Sequence, residues 1–150
     1  MKKFKTESIS RYINQLYRKG ISFLGKEYKE FNIGAGQYQF LVYLYMKEGI
    51  THDELTEKIG VDKSATTRAI LKLEEAGYIK KVQDSEDKRK YYIFLTKYAK
   101  ENREIIINAS KKWENELIGE LTREELEQFY YLFRKITKNI SNEDFNEEII

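Results

Sequence analysis

The stretch Thr51–Thr96 permits very few folds, because its start and stop signals fall close together and in a regular order. Thr51 and Glu54 form a T-x-x-E pair. In such a capping box the hydroxyl accepts from the amide three residues on, and the carboxylate reaches back to the amide of the threonine. Leu55 and Ile59 repeat at i, i+4 on one face, and Gly60 ends this short helix by allowing a left-handed turn. Val61 is placed to plug the gap between two helices, and Asp62 caps the next, where its charge suits the positive end of the dipole. That helix, roughly 62 to 76, turns Thr66, Ile70 and Leu73 to one side with Ala69 beside them. Gly77 closes it. Tyr78–Gln83 and Tyr91–Leu95 then read as two strands, the second with Tyr91, Ile93 and Leu95 on one face, joined by the charged loop DSEDKRK.

Helix, tight turn, helix and two-stranded wing together suit duplex DNA, with the second helix in a major groove and the wing at the neighbouring minor groove. At about 100° per residue, Ser64, Ala65, Arg68 and Lys72 fall opposite the apolar side, with Thr67 on the flank. Small residues let a helix approach closely, alanine or a threonine methyl can pack on a thymine methyl, and an arginine fork matches guanine N7 and O6. Arg68 and Lys72 alone would describe any solvated helix face; the flanking elements point to groove reading. In the loop the acids Asp84, Glu86 and Asp87 come first and the bases Lys88, Arg89 and Lys90 follow. Arg89 is placed to enter a narrow minor groove, held extended by Asp87, although by itself the loop also reads as a solvated turn. The candidate DNA contacts are Lys63, Ser64, Ala65, Thr67, Arg68, Lys72, Asp87, Lys88, Arg89 and Lys90.

A formal net charge of only +2 hides an uneven spread. Residues 62–98 carry nine bases against six acids and residues 1–30 eight against three, whereas residues 99–150 carry eight against twelve. A mildly charged protein can still bind DNA if its bases face one way. The chain has no cysteine and one histidine, His52, which argues against thiol chemistry, disulfides and a metal site. No phosphate loop or nucleophile motif supports catalysis, and no cofactor is implied. No apolar run approaches the ~20 residues of a membrane span. MKKFKTESISRY lacks the apolar core of a secretory signal, so a cytoplasmic location is expected.

The expected fold is mainly α with a small β-hairpin wing: one domain, with a winged lobe at 36–96 and dimerisation helices at 1–35 and 97–150. A first helix, about 7 to 31, aligns Ile9, Ile13, Leu16, Leu24, Tyr28 and Phe31, and Gly20 within that series suggests a close helix approach. Gly34-Ala35-Gly36 breaks it. Thr96 caps a long helix to about 118 with Ile105, Ile106, Ala109, Trp113 and Leu117. After Gly119, a second capping box at Thr122 and Glu125 opens a helix bearing Leu126, Phe129, Tyr130, Phe133, Ile136 and Ile140. These faces exceed what a small lobe can cover, so a homodimer is expected, which would also read both halves of a near-palindrome. The 12 tyrosines read as codon usage of an A+T-rich genome and designate no ligand residues.

Asp62-Lys63-Ser64-Ala65-Thr66-Thr67-Arg68 resembles the recognition-helix opening of the MarR family of bacterial winged-helix regulators. Leu73-Glu74-Glu75-Ala76-Gly77-Tyr78-Ile79 is similar to that family's helix-to-wing junction, and Asp87-Lys88-Arg89 with Leu95-Thr96 to its wing signature. Gly36-Gln37-Tyr38-Gln39-Phe40 resembles the helix entering the lobe. Many members have proline at the place of Ser85 and arginine at that of Lys88, so the wing loop departs in detail. The resemblance implies a dimeric, ligand-responsive repressor of a pseudo-palindromic operator, answering a small aromatic or phenolic acid. A constitutive DNA binder without an effector is the main alternative. A protein-interaction module would be expected to lack the basic reader face.

Overall fold

The computed structural model describes residues 7–140; the ends of the outer segments expected at 1–35 and 97–150 lie outside them. In order come α1 (Ile9–Glu27), a 3-10 turn (Lys29–Phe31), α2 (Tyr38–Met46), β1 (Ile50–Thr51), α3 (His52–Ile59), α4 (Lys63–Glu75), β2 (Ile79–Gln83), β3 (Tyr91–Leu95), α5 (Lys97–Glu101), α6 (Arg103–Ile118) and α7 (Arg123–Lys138). Helices dominate, with one small antiparallel sheet, as the residue pattern predicts. None of the described helices is long and apolar enough to cross a membrane.

The caps that set the inner boundaries are local. Thr51–Glu54 and Thr122–Glu125 both form reciprocal capping boxes. Asp62 accepts from the Ala65 amide at 2.7 Å, and Thr96 caps α5 through Ala99. Gly60 ends α3 at φ +74° with open space around its Cβ position, so backbone conformation is what demands glycine there. The sheet has one strand beyond the expected hairpin. The two-residue β1 pairs with β3 (Ile50 with Ile93, Thr51 with Tyr92), so β3 is central in the order β1-β3-β2. Ile93 and Leu95 are buried, while Tyr91, on the same side, has run out past the core and is exposed.

Two helix boundaries differ from the sequence expectation. The first helix stops at Glu27, because Tyr28 turns its buried side chain toward α6 and the chain tightens into the 3-10 turn, which Asn32 ends in the left-handed region at φ 55°. The expected helix from 97 to 118 is divided at Asn102, whose side-chain amide donates to the Tyr98 carbonyl at 2.9 Å. Such local bonding competes with the helical ladder and turns the chain.

The packing falls into two compact units that divide after Trp113. The first is centred on Phe40, Leu41, Leu44, Leu55, Ile70, Leu73 and Ile93, each at most 2 % exposed. Three buried tyrosines tie distant segments to it. Tyr28 donates to the Ile106 carbonyl at 2.9 Å, Tyr45 to Ala99 at 2.6 Å and Tyr78 to Phe31 at 2.7 Å. On α1, a Cβ at Gly20 would lie 3.1 Å from the Trp113 ring, so this glycine does mark a close approach of two helices. In the second unit Tyr130 donates to Glu114 at 3.2 Å, and the Phe129 and Phe133 rings pack tilted by 31° with centroids 5.1 Å apart.

Burial, the largest cause in each case, holds the hydroxyls of Tyr28, Tyr45 and Tyr78 above the ordinary tyrosine value of 10.0. A raised acid favours the folded state while neutral, so this stability is intact below about pH 10 and is lost as pH rises further. Thermal melts between pH 8 and 11 should therefore fall steeply at the alkaline end. Tyr45→Phe should lower stability by about 1 kcal/mol at pH 8 and flatten part of that alkaline fall.

Candidate nucleic-acid interface

The helix α4 divides cleanly by side. Thr66, Ala69, Ile70 and Leu73 are buried, and Thr66, wholly enclosed, brings its hydroxyl within 2.9 Å of that of Thr56 on α3. Lys63, Ser64, Thr67, Arg68 and Lys72 are exposed, and Ala65 is half-buried. Val61 is half-buried in the turn between the helices. The Asp62 cap and the Gly60 turn set where α4 begins, and the buried side then fixes which residues face outward. The base of the wing is joined to the last turn of α4 by Lys81 Nζ and Glu74 Oε2, 3.1 Å apart.

The wing loop carries its own scaffold. Asp84 Oδ1 accepts from the amides of Glu86 and Asp87 at 2.8 and 2.9 Å, and these two bonds hold its carboxyl below the usual range. The Asp84 amide donates to the Lys90 carbonyl, and Gln83 donates across to the Lys88 carbonyl at 2.6 Å. Asp87 Oδ1 accepts from the Arg89 amide at 3.0 Å and lies 3.4 Å from Arg89 Nε. Asp87, Lys88, Arg89 and Lys90 are all exposed. Lys90 does not point away with its neighbours. Its ammonium sits 5.3 Å from the centroid of the Tyr92 ring, and its hydrogen bond there raises its pKa.

Three further residues share the face and did not figure among the sequence candidates. Leu71 is 49 % exposed, and the helical period sets it between Thr67 and Arg68, a placement readable from spacing alone. Asp53 Oδ1 on α3 lies 3.4 Å from Lys63 Nζ. His52 Nε2 is 3.0 Å from Thr67 Oγ1. Neither α3 contact has a sequence signal, because each depends on how two helices cross.

The MarR family model matches residues 33–91, from the entry to α2 to the start of β3. Over 135 residues, 90 % of either chain, the protein is 31 % identical to YybA of Bacillus subtilis, an HTH-type transcriptional regulator. The chain belongs to the MarR family of transcriptional regulators. A MarR protein from Peptoclostridium difficile superposes with a TM-score of 0.85 at 34 % identity, covering 95 % of this chain and 93 % of that one. A MarR-family regulator from Listeria monocytogenes, solved with a 26mer DNA, has a TM-score of 0.80 at 27 % identity, with 90 % of each chain covered.

In this MarR protein the wing loop depends on Asp84 for its turn. Asp84→Ala should speed hydrogen exchange at the Glu86 and Asp87 amides while leaving the thermal midpoint near that of the parent. Unchanged exchange at those two amides would mean that the backbone bond between Asp84 and Lys90 suffices.

Proposed function

We propose that the protein is a dimeric, ligand-responsive repressor that reads a pseudo-palindromic operator with α4 in the major groove and the wing against the flanking minor groove. The observation that carries this reading is the division of α4. The side toward α3 is buried, and the other presents Lys63, Ser64, Thr67, Arg68 and Lys72 to the outside, small near the N-terminus and basic beyond. Ala65 supplies a half-buried methyl at the edge of that face. Arg68 is the bidentate reader of a guanine. Asp87 steadies Arg89 for a narrow minor groove, where negative potential is greatest, and Lys88 and Lys90 supply charge at the phosphates. The solved complex of the Listeria regulator with DNA supports this use of the fold.

Two observations support dimerisation. On α1, Ile9, Tyr12, Ile13, Leu16 and Tyr17 are each at least 40 % exposed, and α7, which has no buried residue, leaves Phe129 and Leu132 about half exposed. Apolar faces of that extent are costly in water and suit a second subunit. For the effector, a cleft of about 370 Å³ between α2, the end of β3, α5 and the start of α6 is lined by Tyr45, Met46, Leu95, Lys100 and Arg103. Its size falls within the range of small-molecule sites; Glu48 also lines it and pairs with Lys100 at 2.8 Å, so Arg103 is the cation that suits a small aromatic carboxylate.

Selection of bound fragments from genomic DNA should yield a near-palindrome. On it, Arg68→Ala should cost about 1–3 kcal/mol and relax preference at one base position per half-site. Equal loss on all sequences would instead assign Arg68 to phosphate. If the dimer neutralises about 6–10 phosphates, affinity should fall about 10³–10⁵-fold from 50 to 200 mM salt. Arg89→Ala should weaken operator binding with the oligomeric state unchanged. Release of the operator by a small aromatic acid, read by mobility shift, separates a responsive repressor from a constitutive binder.

A further inference from the structure

Thr67 sits within the exposed face of α4, yet its hydroxyl is already committed. Oγ1 lies 2.8 Å from the Lys63 carbonyl and 3.0 Å from His52 Nε2. A hydroxyl has one proton, and a carbonyl can only accept, so the proton of Thr67 goes to Lys63. The imidazole must then be the donor, which requires a hydrogen on Nε2. His52 is the first residue of α3, fixed by the capping box at Thr51, and Thr56 stands one turn further along. These two α3 residues meet two successive residues of α4, His52 with Thr67 and Thr56 with Thr66. Asp53 and Lys63 also link the helices, but that pair is 76 % exposed on both sides, and such pairs are weak.

We infer that His52 is a positioning residue for operator reading: its Nε2–H bond to Thr67 Oγ1 holds that threonine in one rotamer, so that the methyl rather than the hydroxyl is offered to base edges. Without the imidazole, the bond to Lys63 alone holds Thr67, and its side chain leaves that rotamer more often in the groove. The chemistry recognised is the thymine methyl, which an alkyl group contacts without a hydrogen bond. This rests on the groove-reading role proposed above.

The test uses the full-length protein, the operator found by selection and an unrelated duplex of equal length. His52→Ala should lower operator affinity about five- to tenfold, the worth of one hydrogen bond, and leave affinity for the unrelated duplex unchanged. His52→Gln, whose amide supplies an N–H at similar reach, should restore most of the loss. Thr67→Val keeps a methyl and removes the hydroxyl, so His52→Ala made in that background should be silent. Melting curves of each variant identify any loss of fold, and the glutamine rescue remains readable if the alanine variant is unstable. Equal loss on both duplexes, failure of rescue, or the same cost of His52→Ala with valine at 67 would each overturn the inference. If the parent protein itself shows no salt-dependent binding to any duplex, the groove-reading role falls and the inference with it. A parent that selects an operator but ignores His52→Ala overturns the inference alone.

Discussion

The contact between α3 and α4 governs everything the outer face of α4 can do. Leu55, Thr66 and Ile70 are essentially without solvent exposure, and the only polar group sealed among them is the Thr66 hydroxyl, which meets Thr56. The Thr66 hydroxyl also reaches the Asp62 carbonyl of its own helix at 3.2 Å, so the bond from Thr56 adds about 0.5–1.5 kcal/mol to apolar packing in favour of one crossing of the two helices. Apolar packing alone tolerates small slides between helices; a 2.9 Å bond between two short side chains does not. Only three residues, the left-handed Gly60, Val61 and the Asp62 cap, then join the helices. Whatever α4 presents is presented at a fixed angle to the rest of the lobe.

The three buried tyrosines extend that rigidity outward. Two of the carbonyls they reach, Phe31 in the 3-10 turn and Ala99 near the end of the short α5, belong to places where helical partners run out. A leucine would fill the same volume and leave those oxygens unpaired. Tyrosine fills the space and supplies the missing donor. The codon bias expected from the sequence would bear on how many tyrosines the chain has, but not on which ones are buried. The bias and the structural role are compatible, since a sequence rich in tyrosine has more positions at which such a bond can be fixed.

What could be read from the sequence was local, and what escaped was tertiary. Both capping boxes, the Asp62 cap, the Gly60 stop and the inward side of α4 follow from residues within about four positions of each other, a distance over which helical geometry is determinate. The stop at Glu27 was missed because it answers to a hydrogen bond between Tyr28 and α6, 78 residues away. The division at Asn102 was missed because asparagine inside an apolar-periodic stretch is ordinarily tolerated. A two-residue strand such as β1 has no periodicity to detect. In the site the same line holds: spacing gave the exposed residues of α4, but the hold of His52 on Thr67 exists only once α3 and α4 have crossed.

The covered and uncovered halves of α1 have different mechanical roles. Its C-terminal half is locked to α6: Gly20 abuts Trp113, Leu24 is buried, and Tyr28, just past the helix, is bonded to Ile106 and Ser110. The turn that follows is held by Tyr78, which begins the wing and whose carbonyl accepts from Thr96. Among the described residues the N-terminal half has no such hold, and its apolar side chains are exposed. In a dimer closed over that half, a shift at the subunit contact would reach α4 through a chain of buried hydrogen bonds with little slack. The lobes would then move as bodies, changing the spacing between two readers and leaving the surface of each intact. Register with successive major grooves is sensitive to that spacing, since half-sites must fall about one helical turn, some 34–36 Å, apart. For the proposed switch, a rigid reader on a movable mount would serve better than a reader whose own face rearranges, and the Thr56–Thr66 bond between α3 and α4 suits the first.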